Sequence, residues 1–192
     1  YNDVYANYLF KFLEAYTKEG IPIYAITVQN EPGWVATTPT TCMTPTQEAD
    51  IIRRLHELIQ ANNQKIDTKI LAHDWNFGDK SQTSDCFPNG YSHIQLARDV
   101  LTSLNSPGNY VYGVAFHSYD WEDHDEDNII ELYRSYPNLK MFHTERAEWG
   151  TDGMNRIVKM FRHQISTYVG WVTILDNDNV DNGNEDEQYP GT

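Results

Sequence analysis

The sequence predicts an α/β fold whose parallel strands form part of a (β/α) barrel. Segments of helical periodicity alternate with short, nearly continuous apolar segments along the chain, which is typical of a parallel sheet covered by helices. Each apolar segment also ends in polar and aromatic residues, as barrel strands do at the face that carries function. An open doubly wound sheet is the alternative. Such a sheet usually binds phosphate in a glycine-rich first turn, and the chain has no G-x-G-x-x-G motif.

The individual elements follow from apolar periodicity and from the residues that interrupt it. Apolar side chains recur with a helical period between Val4 and Tyr16. Gly20 ends this helix, and Pro22 precedes the β-branched segment IYAITV, which predicts a strand. The pattern then repeats along the chain. In order, the predicted pairs of helix and strand are 4–19 with 23–28, 46–63 with 69–73, 92–104 with 111–116, 127–135 with 140–143, and 152–167 with 169–175.

Clusters of polar residues follow the predicted strands. All strands of a barrel point the same way, so these clusters would meet on its C-terminal face, where barrel enzymes carry their catalytic groups. The clusters are Gln29-Asn30-Glu31, His73-Asp74-Trp75-Asn76, His117-Ser118-Tyr119-Asp120, His143-Thr144-Glu145 and Asp176-Asn177-Asp178.

Charge and motif spacing argue against several classes of function. The net charge of −14 disfavours binding to nucleic acid or to an anionic membrane surface, because both require a basic face. No apolar run reaches the roughly 18 residues of a membrane-spanning helix. His73-Asp74 and His117-x-x-Asp120 could begin a metal site, but their spacing matches no metal motif. The acidic segment 176–187 has Asp181 at the position where a calcium loop requires glycine. We therefore expect no metal and no cofactor.

Two glutamates stand where a pair of catalytic carboxyl groups is needed. Cleavage of a glycosidic bond requires one protonated and one ionised carboxyl group. Glu31 lies in ITVQNEP, where Pro32 forces the chain out of regular structure and is expected to make Glu31 the last residue of its strand. Glu145 follows the fourth predicted strand, whereas its rival Glu148 falls in the loop beyond. Two strands separate Glu31 from Glu145, so a closed barrel would place them opposite each other.

Five segments resemble glycoside hydrolase family 30. YAITVQNEP is similar to the acid/base strand of that family, and HTERAEWG is similar to its nucleophile strand. ILAHDWN, GVAFHSYD and VGWVTILD resemble the fifth, sixth and eighth strands. The resemblance implies that residues 1–192 form a partial TIM (β/α)8 barrel with about strands 4 to 8. It also leaves strands 1 to 3 and the β-sandwich that the family usually appends unaccounted for.

The resemblance also implies an activity and a set of site residues. The activity is that of a retaining β-glycosidase, in which Glu145 attacks the anomeric carbon and Glu31 acts as acid and then as base. Asn30 would bind the sugar 2-hydroxyl, and Tyr119 would donate a hydrogen bond near Glu145. The remaining pocket residues would be Asp74, His117 and Trp171. Outer sugar subsites could use Trp34, Trp75, Trp121 and Trp149.

Several of these residues could instead have purely structural roles. Trp171 could be a core residue, His117 a satisfied buried histidine and Asp74 a turn residue. Val172 stands where many family members carry Asn, which puts one polar contact in doubt.

The resemblance implies a carbohydrate or glycoconjugate substrate, with glucosylceramidase-like activity first and endo-β-1,6-glucanase or xylan-acting members next. A non-catalytic carbohydrate-binding relative and an unrelated metal hydrolase are the other hypotheses. The expected location is secreted or lysosomal/extracellular. Cys42 and Cys86 are equally compatible with one disulfide and with two free thiols. The chain opens within a helical pattern without an initiator Met, so we expect a fragment that is inactive alone.

Overall fold

The computed structural model describes residues 1–35, 41–62, 66–84, 86–120 and 126–171. Helices and strands alternate throughout, as the periodicity predicts. A 3₁₀ helix at Pro107–Asn109 interrupts the connection before the third strand. The elements in order are α1 Asn2–Lys18, β1 Ala25–Thr27, α2 Pro45–Ala61, β2 Lys69–Trp75, α3 His93–Leu104, β3 Gly113–His117, α4 Glu126–Ser135, β4 Lys140–Glu145, α5 Gly150–Arg162 and β5 Ile165–Tyr168.

The five strands form one sheet in which every neighbouring pair is parallel. The strand order in space, β1-β2-β3-β4-β5, is the same as the order in the chain. In a doubly wound sheet the order reverses at a switch point, whereas in a (β/α) barrel each strand adds on the same side of the last. The topology therefore agrees with part of a barrel and confirms the predicted fold class.

Local sequence explains where the central helices begin. Thr44 caps α2 by accepting a hydrogen bond from the Gln47 N–H, and the Gln47 side chain accepts one from the Thr44 N–H, which completes a capping box. Pro45 occupies the first turn, where its missing N–H has no intrahelical partner to lose. Ser92 caps α3 through the Gln95 N–H. These caps fix the points at which the loops beyond β1 and β2 turn back into helices.

The main core lies between the sheet and the helices on its outer side. Ile52 of α2, Leu101 of α3 and Phe116 of β3 are completely buried there. A smaller cluster lies on the opposite, inner face of the sheet and consists of Leu71, Ala115 and Phe142. Among the described residues, no helix is both long and apolar enough to cross a membrane.

Cys42 and Cys86 form a disulfide, with their Cα atoms 5.4 Å apart. This observation decides between the two readings that the sequence left open. Cys42 belongs to the connection between β1 and α2, and Cys86 to the connection between β2 and α3. The bond therefore joins two loops on the same edge of the sheet.

The position of the last strand was predicted wrongly. Helix α5 ends at Arg162, and β5 starts at Ile165, inside the segment expected to be helical. Gln164 adopts a left-handed conformation with φ 69°, which is incompatible with a continuing helix. The apolar residues that follow it have a spacing that suits a helix, and this spacing led to the wrong prediction. Of the predicted strand 169–175, the described residues up to Trp171 lie outside regular structure. Residues from Val172 onwards, including the acidic segment, lie outside the described residues, as does Trp121.

A second correction concerns Glu31. Strand β1 ends at Thr27, so Glu31 is not its last residue. Its backbone is left-handed with φ 45°, and its N–H donates to the Asp74 carbonyl at 3.0 Å. The chain thus leaves the sheet before Pro32 and is held beside the neighbouring strand by this hydrogen bond.

Candidate active site

His117, at the end of β3, lies at the centre of a group of three carboxylates. Its Nδ1 is 2.9 Å from Glu31 Oε1, and its Nε2 is 3.4 Å from Asp74 Oδ1. The same Nε2 is 3.9 Å from Glu145 Oε2. The imidazole is buried, with 1% of the side chain exposed. Four predicted site residues from four different βα units are therefore in direct proximity.

Glu31 and Glu145 are near one another as well as near His117. One carboxylate oxygen of each and one His117 ring nitrogen lie within 4.8 Å of one another. Both side chains keep about a fifth of their surface exposed, 18% for Glu31 and 19% for Glu145. A small molecule can therefore reach both carboxylates. Tyr119 donates its hydroxyl to Glu145 Oε1 at 3.2 Å.

Asp74 is held by two threonines that the sequence analysis did not identify. Thr27 donates to Oδ2 at 2.6 Å, and Thr144 donates to Oδ1 at 2.7 Å. Asp74 has φ 86° and lies at a register shift between β2 and β3, a bulge that turns its side chain to the inner face. A bulge next to a site commonly re-aims one side chain, and here it provides the carboxylate that faces His117.

A buried acid supports this bulge from behind. Glu48 of α2 is 1% exposed and accepts the His73 N–H at 2.6 Å. Burial raises the pKa of Glu48 to about 8, with the His73 N–H opposing and the Asp74 charge adding to the rise. Nothing in the spacing of α2 distinguishes Glu48 from a solvated helix residue. The one available signal is its place among Ala49, Ile51 and Ile52 in an otherwise buried stretch.

The charges of the cluster favour a protonated His117. Burial by itself lowers the pKa of this imidazole, but the hydrogen bonds of Asp74 and Glu31 and the charge of Glu145 outweigh burial and raise the pKa to about 9. Burial raises the pKa of the Glu145 carboxyl group, the His117 charge opposes the rise, and the Glu31 charge adds to it. Burial and the Glu145 charge raise the pKa of Tyr119, which keeps its hydroxyl protonated as a donor.

Glu31, His117 and Glu145 are close enough to be considered as metal ligands. Both ring nitrogens of His117 already face carboxylate oxygens, however, and a ligand imidazole must be neutral and offer a free lone pair. The donor set fits a cationic histidine bridging acids better than it fits a metal centre.

Glu148, the rival of Glu145, makes different contacts. It forms an ion pair with Arg156 and lies 3.6 Å from the Arg146 Nε. The hydrogen bond from Arg156 lowers the pKa of Glu148. Arg146 also lies over the Tyr119 ring, 5.0 Å from its centroid. Glu148 thus belongs to a group with two arginines beside the site rather than to the carboxylate group around His117.

A cavity of about 450 Å³ opens along the inner face of the sheet beside this group. Asn30 lies on its wall and is exposed, which leaves its amide available to a ligand. Trp171 lies beyond β5, 47% exposed, and its N–H donates to the Arg146 carbonyl at 3.0 Å. Among the predicted site residues, Asn30, Asp74, His117 and Glu145 share this cavity.

Comparison with known proteins agrees with this architecture. Residues 1–179 match the model of the glycosyl hydrolase family 30 TIM-barrel domain. The lysosomal acid glucosylceramidase of Mus musculus is 30% identical over 152 residues, which is 76% of this chain and 26% of that protein. The endo-1,6-beta-D-glucanase of Neurospora crassa is also 30% identical, over 151 residues, with 76% and 26% covered. The chain spans about a quarter of the length of these relatives.

Solved structures show the same fold. An endo-β1,6-glucanase superposes with a TM-score of 0.75 at 23% identity, covering 93% of this chain and 39% of the other. A glycoside hydrolase family 30 subfamily 8 xylanase from Clostridium acetobutylicum superposes with a TM-score of 0.66 at 20% identity, covering 98% and 44%. With most of its length matched by the family model and its strands in barrel order, the chain belongs to glycoside hydrolase family 30.

Proposed function

We propose that this chain carries the catalytic carboxyl groups of a retaining β-glycosidase, which cleaves O-glycosidic bonds by double displacement. The observation that carries this proposal is the proximity of Glu31 and Glu145, which have carboxylate oxygens within 4.8 Å of each other. Retaining glycosidases hold their two carboxyl groups about 5–5.5 Å apart, whereas inverting enzymes leave roughly 6.5–9.5 Å for a water molecule. The separation in this chain supports direct attack by a carboxylate.

In the first step, a Glu145 oxygen bonds to the anomeric carbon while the leaving oxygen takes the proton of Glu31. In the second step, Glu31 removes a proton from water, and the resulting hydroxide attacks the anomeric carbon and releases Glu145. Burial keeps the pKa of Glu145 above its usual value, and two contacts oppose this effect and favour the ionised form: the hydrogen bond that the Tyr119 hydroxyl donates and the charge of His117. The assignment of the two roles follows the resemblance of the two strand motifs to the family.

The other site residues have positioning and binding roles in this proposal. Asn30, on the wall of the cavity, would bind the sugar 2-hydroxyl. Asp74 and His117 would set the electrostatic environment of the two catalytic carboxyl groups, and Tyr119 would orient Glu145 by its hydrogen bond. Trp171, exposed beside the loop after Glu145, would contribute an aromatic wall.

Two substrate classes have specific support. A glucosylceramide-like glycolipid is supported by the name of the mouse relative and by two putative glucosylceramidases of Caenorhabditis elegans, 26% and 28% identical. A β-1,6-glucan is supported by the Neurospora crassa relative. A non-catalytic carbohydrate-binding role has less support, because both carboxylates are present and close together.

The proposed location is secreted or lysosomal/extracellular. The Cys42–Cys86 disulfide supports it, since disulfides persist in oxidising compartments. The name of the mouse relative places that protein in the lysosome.

The test uses the full-length protein and its Glu145→Gln and Glu145→Gly variants. We expect Glu145→Gln to reduce kcat on an aryl β-glucoside by at least about 10³-fold, because the Gln amide cannot attack the anomeric carbon and Glu31 cannot replace the missing nucleophile. Added azide should restore turnover in Glu145→Gly by forming a glycosyl azide. Glu148→Gln is the matched control and should keep most of the activity. Wild-type turnover in Glu145→Gln, or loss confined to Glu148→Gln, would refute the assignment.

A further inference from the structure

A second pocket is lined by the residues that follow the proposed acid/base residue in the chain. The Trp34 N–H donates to the Glu31 carbonyl at 2.9 Å, so the chain turns back immediately after Glu31. Gly33 then lies against two aromatic rings: a Cβ added there would be 2.2 Å from Trp75 Cζ3 and 2.7 Å from Phe87 Cε2. No larger residue fits between this turn and the Trp75 ring, which follows Asp74 in the sequence. Two lining residues of the pocket, Gly33 and Trp75, therefore lie within two residues of Glu31 and Asp74 in the chain.

The pocket has a volume of about 270 Å³ and combines aromatic surfaces with neutral polar groups. Its volume lies just below the roughly 300–1,000 Å³ typical of drug-sized ligands, which suits a single ring. We name it the Trp34 pocket and define it by its lining residues Gly33, Trp34, Val35, Trp75, Gln82, Thr83, Ser84, Phe87, Tyr91 and His93.

The chemistry of the Trp34 pocket matches a neutral, polyhydroxylated ring. Trp34 is 53% exposed and offers an aromatic surface, whereas Trp75 is 7% exposed and packs on His93 at 4.2 Å between ring centroids. Amide and hydroxyl groups of residues such as Gln82 and Ser84 can both donate and accept hydrogen bonds. Among the described residues that line it, none is a carboxylate, a Lys or an Arg, and the Nδ1 of His93 is already engaged by Asp120 at 2.6 Å.

The disulfide determines how the two halves of this pocket are held together. Trp34 belongs to the β1–α2 connection, and Gln82 to Tyr91 belong to the β2–α3 connection. The Cys42–Cys86 bond joins these two connections covalently. The Met43 N–H donates to the Pro32 carbonyl at 2.9 Å, which links the disulfide to the turn that carries Trp34. The disulfide between the two loops thus limits how far apart the two walls of the pocket can move.

We propose that the Trp34 pocket is a subsite for the leaving group and that this leaving group is itself a sugar ring. The shape of the pocket depends on the Cys42–Cys86 bond. The proposal rests on the proposed glycosidase activity, because it takes Glu31 as the group that protonates the leaving oxygen. It selects between the two substrate classes in favour of an oligosaccharide. A flexible lipid chain would not use the neutral hydrogen-bonding groups that surround the aromatic surfaces.

The test compares two substrates of the full-length protein: a gluco-oligosaccharide such as β-1,6-linked gentiotriose, and 4-nitrophenyl β-glucoside, whose leaving group is not a sugar. We expect Trp34→Ala to reduce the ratio of their kcat/KM values about tenfold, mainly through KM of the oligosaccharide, because stacking of a ring is lost. A double Cys42→Ser, Cys86→Ser variant should shift the ratio in the same direction. Phe161→Ala, which removes an aromatic ring of similar exposure (52%) on α5, should leave the ratio unchanged.

The outcomes separate this proposal from the proposed activity. An unchanged ratio in Trp34→Ala, or an equal loss on both substrates, would overturn the leaving-group subsite while leaving the glycosidase assignment intact. Undiminished turnover in Glu145→Gln would instead overturn the activity. Binding of the oligosaccharide to Glu145→Gln, measured by calorimetry with and without Trp34→Ala, tests the pocket without turnover. Equal affinity with and without Trp34 would refute it.

Discussion

Replacement of Asp74 by Asn should lower the pKa of His117. The shift of this imidazole from its ordinary 6.5 to about 9 corresponds to about 3 kcal/mol at 1.36 kcal/mol per pKa unit. Asp74 makes the largest contribution among the groups that raise it, with its Oδ1 3.4 Å from the ring. We therefore expect Asp74→Asn to lower the pKa by at least about one unit. Asn tolerates the left-handed backbone at this position and preserves the side-chain shape.

The assay is an NMR titration of protein labelled with ¹⁵N-histidine. The chain has seven histidines, and the absence of one imidazole signal in His117→Gln identifies the relevant resonance. Asp67→Asn serves as the control, since the Asp67 side chain is 98% exposed and should not affect His117. A His117 pKa in Asp74→Asn within about 0.3 units of the wild-type value would refute the proposed electrostatic network, because the expected decrease of at least about one unit is well above that margin.

The same shift determines how stability depends on pH. The folded-state pKa of His117 is raised, so its stabilisation is complete below about 6.5 and is lost as pH rises through about 9. In Asp74→Asn the loss should still begin near 6.5, the value of the unfolded chain, but it should be smaller and be complete at a lower pH. Urea unfolding at pH 6, 7.5 and 9 measures this difference, and identical pH profiles for wild type and variant would contradict it.

Three further predictions concern packing and support of the site. Leu101→Ala should destabilise the protein by about 2–5 kcal/mol in urea unfolding, because Leu101 is fully buried between α3 and the sheet. Gly113→Ala should destabilise it by about 1–3 kcal/mol, since the new Cβ would lie 2.2 Å from the Lys140 carbonyl oxygen; a neutral effect would contradict the close strand approach. Glu48→Gln should reduce the loss of unfolding free energy between about pH 5 and pH 8, because the pKa of Glu48 is raised to about 8 and its charged form is disfavoured; an unchanged slope would show that Glu48 is not buried.

The sequence located four of the five strands and the first four helices to within a few residues, whereas the fifth helix ends at Arg162, five residues earlier than predicted. The first four strands carry β-branched and apolar runs bounded by proline or polar residues, and these signals are local. The fifth was misplaced because Ile165 and Tyr168 have a spacing that suits a helix as well as a strand. The left-handed backbone at Gln164 that decides between them leaves no clear mark in the sequence.

The residues that support the site were the hardest to find. Thr27 and Thr144 look like ordinary β-branched strand residues, and their role appears only when the bulge in β2 brings Asp74 between them. Glu48 is 25 residues from the backbone group it holds. Contacts of this kind depend on how separate elements pack, and no periodicity encodes them.

By itself the sequence determined the order of the elements and the residue types at the strand ends, including the pair Glu31 and Glu145. Those properties follow from local periodicity and from the common direction of barrel strands. The tertiary structure alone decided the distances: the convergence of three carboxylates on His117, the short separation of the two glutamates and the Cys42–Cys86 bond. Distances between residues far apart in the chain are set by side-chain packing between elements. Those distances in turn determine the pKa values of the ionisable groups in the site.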